Sequence, residues 1–544
     1  MKIPAKTASN QDVHAVFSHR MKLCYRVKFS GVALKVQNMG KAIAVLLAGL
    51  FLTIPAMAQS PAVTQRTVHY FDSIRKQPPQ LLAFLREMPK GADPHNHLAG
   101  ALNAENLINW AANDGLCVDR SAAQLEPPPC DDICAKGTKP SVSCAYQDQD
   151  LYNSIVDAWS MRNWERGHES GHDHFFATFG KFSLATHHHV GDALAEALQQ
   201  AAHDRVQYIE LMHTADGGQA IQLGSKLTWN GDFSSMRNWL LNNGLADVAL
   251  ATRMQLDADE VTMRSDLGCG ALHADPGCEV GVRYLYQVLR GLPREAVFTQ
   301  MVLGFELAKS DPRFVGINLV MPEDAYIPMH DFELHMRMLD YLHGVYPTVH
   351  ITLHAGELSR PLVSPSEMRS HIRKSIELGH AERIGHGVDL MSEDDAAGLL
   401  HEMAQRNILV EACLTSNDEI LGVKGYEHPF MAYRRAGVPI ALATDDEGVS
   451  RSDLTHEYER AAETYDLSYG DLKTMARNSL EHSFLPGESL WRDARRFIPV
   501  TSCSTDKPSA LKLSASCGKF LAANERAQMQ WKLEAKFAEF EKKY

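Results

Sequence analysis

The chain has 544 residues, a net charge of −13, 45% hydrophobic and 22% charged residues. That length exceeds one minimal domain and fits one large barrel with insertions or two to three smaller domains. No basic stripe appears beyond the first 41 residues, so a nucleic-acid or other polyanionic partner is disfavoured.

The first informative stretch is "MGKAIAVLLAGLFLTIPAMAQS". One Lys precedes an apolar run from Ala42 to Ile54, and Ala56-Met57-Ala58 follows. This is the layout of a signal peptide cleaved after Ala58. The run is shorter than the roughly 20 residues a membrane span needs. Met39 is the expected start, and residues 1–58 comprise an extension plus the signal peptide. The expectation is an exported protein, periplasmic or secreted, with no membrane attachment once mature.

Export permits disulfides. Cys269 with Cys278 and Cys503 with Cys517 each close a short loop. Cys117, Cys130, Cys134 and Cys144 allow three connectivities. A zinc knuckle at Cys130 and Cys134 is the alternative reading. Cys413, inside the apolar run "ILVEACLTSN", is expected to be a buried free thiol.

Residues 59–88 suggest an N-terminal helical extension. Strand-like runs then follow at 90–98, 205–213, 246–254, 314–321, 350–356, 382–388, 408–416 and 439–446. Helix-like stretches alternate with them. Continuous apolar strands alternating with helices imply a parallel sheet, and eight such units imply a (β/α)8 TIM barrel over 89–490. Residues 115–150, rich in Pro, Asp, Ser and Cys, interrupt the rhythm as an insertion after the first strand. The tail, 491–544, ends in an amphipathic helix expected to pack on the barrel.

In such a barrel the chemistry sits at the C-terminal ends of the strands. The first expected strand ends in His95-Asn96-His97, and residues two apart share one strand face. The fifth ends in His354 with Glu357 just beyond, the sixth in His386, and the eighth in Asp445-Asp446. A lone histidine at such a place is usually structural. Histidines and carboxylates at four strand mouths are poorly explained that way. Three imidazoles and a carboxylate suit zinc. No Lys stands at the end of the fourth strand to bridge a second metal, so one Zn2+ per chain is expected. Such an ion with an open position brings the pKa of water near neutral. Glu357, His386 and Asp446 are left for proton handling and substrate orientation.

The series "MPKGADPHNHLAGAL", "HAGE", "RIGHGV", "EACLTSN" and "ATDDEG" resembles the motifs of the adenosine deaminases of the amidohydrolase superfamily, in order and spacing over about 85–485. The signal peptide, N-terminal extension and cysteine-bearing insertion also resemble the secreted adenosine deaminase-related growth factors. The resemblance implies that His95, His97, His354 and Asp445 hold zinc. It implies that Glu357 protonates the purine ring nitrogen beside the attacked carbon. His386 would take the proton from the attacking water and stabilise developing charge, and Asp446 would bond the imidazole-ring edge of the purine. Adenosine, and 2′-deoxyadenosine with it, would give inosine-type product plus ammonia. A homodimer formed through the N-terminal extension would follow from the growth-factor resemblance.

The chain also departs from the family pattern. Ala99 replaces an Asp that contacts the ribose, and "LVMPED" replaces L-A-G-D-E, putting Met321 where a glycine offers its N–H to the purine. Glu447 stands where a proline is usual. Phe176 and Phe179, in "FFATFGKF", resemble the aromatic lid over the substrate, with core packing as the competing reading. These departures keep another aminopurine, such as adenine or a 5′-modified adenosine, open as the substrate. A non-deaminase amidohydrolase and a catalytically silent relic barrel are the remaining readings. The His-rich stretches 167–174 and 186–190 receive no role.

Overall fold

The computed structural model describes residues 61–134, 137–510 and 512–544. The signal-peptide stretch and the Met39 start lie outside them. Among the described residues no helix is long and apolar enough to cross a membrane.

Eight parallel strands form one sheet in chain order. They are β1 (Gly91–His97), β2 (Val206–His213), β3 (Gly281–Leu289), β4 (Phe314–Val320), β5 (His350–Ala355), β6 (Arg383–His386), β7 (Leu409–Ala412) and β8 (Ile440–Leu442). A parallel bridge between Asn96 and Asp445 joins the end of β1 to the segment after β8. Two backbone bonds make it: His97 N–H donates to Asp445 O (2.9 Å), and Asp445 N–H donates to His95 O (3.0 Å). The barrel thus closes at its C-terminal rim. Helices cover the outside, as both faces of a parallel sheet require.

Seven expected strands stand, and one does not. Residues 246–254 lie inside a helix, Leu245–Asp266. "ADVALATRM" is dominated by Ala, Leu, Met and Arg, all good helix formers, and only Val and Thr are β-branched. The third strand is instead "GVRYLYQVL", rich in Tyr and Val. Arg283 and Gln287 interrupt its apolar run and hid it. The expected run 408–416 is shorter as a strand, because a helix, Leu414–Leu421, begins within it.

Three helices clasp the rim opposite the strand ends. They are α1 (Pro61–Ile74), α2 (Pro78–Glu87) and the C-terminal α3 (Glu525–Lys543). Phe84 packs on Phe540 with ring centres 4.9 Å apart. Arg477 holds Glu534 through two bonds of 2.6 and 2.7 Å. The insertion carries a small antiparallel hairpin, Cys117–Asp119 against Gln124–Glu126. Its disulfides are Cys117–Cys130 and Cys134–Cys144, so Cys130 and Cys134 are not a joint metal knuckle. Cys269–Cys278 and Cys503–Cys517 are also paired, and Cys413 is free and buried.

Candidate active site

Side chains from β1, β5 and the end of β8 converge inside the C-terminal rim. The ligand atoms of His95, His97, His354 and Asp445 all lie within 4.8 Å of one another. Asp445 Oδ1 is 3.3 Å from His95 Nε2 and 3.2 Å from His97 Nε2. The Nε2 atoms of His97 and His354 are 3.2 Å apart.

Each of the three rings is oriented by an acceptor on its far side. His95 Nδ1 is 2.6 Å from Glu411 Oε2 on β7. His97 Nδ1 is 2.9 Å from Gln287 Oε1 on β3. His354 Nδ1 is 2.9 Å from Asn318 Oδ1 on β4, and that same oxygen accepts the His354 backbone N–H. A carboxylate or amide oxygen can only accept, so each Nδ1 carries a proton and each Nε2 turns a lone pair inward. Two lone pairs face each other across 3.2 Å between His97 and His354, and His95 Nε2 is buried without a hydrogen-bond partner. That donor set fits a divalent cation of the zinc class.

The electrostatics agree. Burial opposes charge on His95, but Asp445 and Glu411 outweigh it, so positive charge at this ring or beside it is favoured. Burial acts to raise Asp445, yet the imidazoles of His95 and His97 close beside it hold its carboxyl well below the usual range. The site is a place for positive charge. Ser416 Oγ donates to Asp445 Oδ2 at 2.6 Å and fixes the carboxylate's other oxygen.

Glu357 lies beyond β5, buried, with its backbone N–H donating to Glu323 Oε2 (2.9 Å). Burial, with Asp445 and Glu323 nearby, pushes its carboxyl well above the ordinary range. His386 ends β6, and its Nδ1 lies 3.6 Å from Glu357 Oε1. Burial lowers His386 to about 4. Asp446 is buried too, and burial raises it to about 7. Gly100 makes room for it, because a Cβ there would sit 1.6 Å from Asp446 Oδ1. His386 (φ +67°), Asp445 (φ +63°) and Met321 (φ +85°) all occupy the left-handed region at strand ends. Strain of this kind in non-glycine residues collects at functional sites.

Phe176 and Phe179 lie half-buried on the helix Gly171–Phe182, whose Phe175 and Phe182 are core residues. Their ring neighbours are His172, Phe175 and Phe182 rather than the four donors. His172 Nε2 meets Asp324 Oδ1 at 2.9 Å and ties this helix to the loop after β4, where Met321 begins the turn. His189 stacks on Trp110 and bonds Asp192 and Asp114. The His-rich stretches therefore work as tethers among the described residues.

Sequence reasoning missed Gln287, Asn318, Glu323, Glu411 and Ser416. A signal existed for three of them. Asn318 and Glu411 are lone polar side chains inside otherwise apolar strands, and Gln287 shares its strand with one other polar residue, Arg283. A buried polar group without a partner costs about 1–3 kcal/mol, so each implies a partner inside the barrel.

The family model described as Adenosine deaminase matches residues 148–492, well over half of the chain. The match begins after β1, so His95 and His97 lie outside it. The adenosine deaminase of Clostridium perfringens (strain ATCC 13124) is 34% identical over 139 residues, 25% of this chain and 39% of that protein. The alignment thus spans about two fifths of that relative. Among solved structures, adenine deaminase from Arthrobacter aurescens superposes with a TM-score of 0.46 at 18% identity, over 77% of this chain and 97% of that one. The N6-methyl-AMP deaminase from Arabidopsis thaliana gives 0.49 at 19% identity, over 76% and 96%.

Proposed function

The chain belongs to the adenosine deaminase family, and from that premise we propose that it is a zinc-dependent hydrolytic deaminase of adenosine and 2′-deoxyadenosine. Water and adenosine would give inosine and ammonia. The observation that carries this reading is the buried Glu357 carboxyl, held beside a four-donor cation site and kept protonated by burial. Such a group is an acid at neutral pH.

His95, His97, His354 and Asp445 would hold the ion. When bound, zinc supplies the Lewis acidity that makes water nucleophilic near neutral pH. The chain's own residues do the rest. Glu357 gives its proton to the purine ring nitrogen beside the amino-bearing carbon, which makes that carbon electrophilic. Its backbone N–H donates to Glu323, which fixes the point at the strand mouth from which the side chain departs. Asp446, with Oδ1 buried and unpartnered, supports a hydrogen bond to the imidazole-ring edge of the base. His386 faces the attacking water. Met321 keeps a backbone N–H for the purine, and Phe176 and Phe179 would cover the bound nucleoside.

Four disulfides among the described residues support an exported, periplasmic or secreted protein. The test is ammonia release, followed by ultraviolet absorbance, from adenosine, 2′-deoxyadenosine, adenine, AMP and methylthioadenosine, with and without a chelator. Turnover of adenosine that the chelator abolishes is the expected result. Turnover of adenine or methylthioadenosine alone would transfer the proposal to that substrate, and the exposed Ala99 in place of an acidic ribose contact makes the comparison necessary. AMP is expected to fail, because the sequence shows no basic cluster to hold a phosphate.

A further inference from the structure

Among the described residues, the strand mouths hold two overlapping donor sets, not one. The second comprises His95, His386, Cys413 and Asp445, with ligand atoms again within 4.8 Å of one another and all four residues buried. The two sets share His95 and Asp445, so one ion cannot satisfy both. The second set contains a thiol, the donor that soft cations and zinc favour most. Something must keep the ion away from it.

The hydrogen bonds around His386 supply the reason. The Phe430 backbone N–H donates to His428 Nδ1 at 3.1 Å. A backbone N–H can only donate, so His428 Nδ1 is a lone pair and its proton is on Nε2. His428 Nε2 then donates to Asn417 Oδ1, 3.1 Å away. That fixes the orientation of the Asn417 amide, whose Nδ2 donates to His386 Nδ1 at 2.9 Å. His386 Nδ1 is therefore an acceptor, and the neutral ring carries its proton on Nε2. Flipping the amide would set His428 against the Phe430 N–H, donor against donor. Glu357 Oε1, at 3.6 Å from His386 Nδ1, is too distant to compete. Asn417 and His428 are 0% and 3% exposed, so water does not replace either bond.

This is the reverse of the other three rings. His95, His97 and His354 each meet an acceptor at Nδ1 and turn a lone pair inward; His386 meets a donor and turns an N–H inward. An imidazole nitrogen that bears a proton cannot bind a cation.

We propose that Asn417 and His428 are positioning residues that hold His386 as an Nε2–H donor, excluding it and Cys413 from the metal and confining the ion to His95, His97, His354 and Asp445. In this form His386 offers a hydrogen bond to the attacking oxygen and does not take a proton at Nε2. The inference rests on the proposed metal site for its second half only. The tautomer of His386 is a property of the metal-free chain.

The experiment uses the full chain labelled with ¹⁵N-histidine, first metal-free and then loaded with cobalt(II). Long-range ¹H–¹⁵N correlation reads each ring's tautomer, with His386 identified by the signal lost in His386→Gln. Neutral His386 is expected to carry its proton on Nε2, and the cobalt protein to show no thiolate charge-transfer band. Asn417→Asp, whose carboxylate can only accept, is expected to move the proton to Nδ1 and to bring in that band. Adding Cys413→Ser is expected to remove it again. Wild-type His386 with its proton on Nδ1 overturns the proposal and needs no variant. A thiolate band in the wild-type cobalt protein also overturns it, as does a switched tautomer in Asn417→Asp without the band. Failure to bind cobalt at all would overturn the proposed metal site, while the tautomer would still decide the relay.

Discussion

His95 Nδ1 and Glu411 Oε2 lie 2.6 Å apart, both fully buried, and Glu411 in turn pairs with the Arg383 guanidinium, whose Nε is 2.6 Å away, and accepts from Thr352 Oγ1 at 3.0 Å. One carboxylate on β7 therefore aims a ring on β1 and raises its basicity as a ligand. Glu411→Gln keeps an acceptor for His95 but removes the negative charge. Zinc affinity is expected to fall about 10–100-fold, measured by competition with a chromophoric chelator. Unchanged affinity would show that the carboxylate does not tune the site.

Arg383 bridges two buried carboxylates, Glu411 and Glu210, with Glu210 Oε2 at 2.7 Å, and stacks over Phe484. Removing it strands both negative charges inside the barrel. Arg383→Met is expected to cost about 3–5 kcal/mol, read from the urea midpoint. A loss under 1 kcal/mol would mean that solvent reaches the pair.

Glu357→Gln leaves all four donors in place and deletes only the proton to be given. Zinc stoichiometry is expected to stay at one per chain while kcat for adenosine falls by about 10²–10⁴. A rate near wild type would reject the proton-donor assignment.

His335 is 1% exposed, its Nε2 makes no hydrogen bond, and burial beside Arg290 lowers it to about 4. The unfolded ring titrates near 6.5. Between about 6.5 and about 4 the unfolded chain binds a proton that the folded chain refuses, so this stability is present above 6.5 and is lost on acidification. Thermal melts from pH 7.5 to pH 4.5 are expected to show His335→Leu losing less stability than wild type as the pH falls.

Met321 sits at φ +85°. A glycine there would relieve roughly 1–2 kcal/mol of left-handed strain, offset by about 0.5–1 kcal/mol of extra chain entropy. Met321→Gly is expected to match or slightly exceed wild-type stability, whereas Met321→Val, β-branched at the same φ, is expected to lose it. Denaturant midpoints of the three proteins decide the matter.

The sequence showed the barrel and the inward-facing histidines for one reason. Both leave local signatures, apolar runs and polar residues at their ends. What it hid lies across strands. Glu411 reads as a blemish in "ILVEACL" until β7 is seen beside β6 and the first strand's histidine. Gln287 stayed unseen because its own strand did. A run with Arg and Gln in it looked less like a buried strand than the helix "ADVALATRM", whose composition is apolar but whose residues favour helix. The relay from Phe430 to His386 was beyond reach for a further reason. A tautomer is decided by bonding direction, which spacing does not carry.

The seam between the first and last strands of the barrel carries a thermodynamic consequence. His95 and His97 flank Asn96, whose bridge partner is Asp445. Three of the four donors thus straddle the one junction that must close over the whole length of the barrel, the contact with the largest loop entropy against it. A cation bound there is a clasp across that junction. Its binding free energy counts toward closure, so folding and metal uptake are linked functions. Stripping the ion would loosen the ring first at its seam, where the catalytic geometry resides, and leave the distant clasp of α1, α2 and α3 intact.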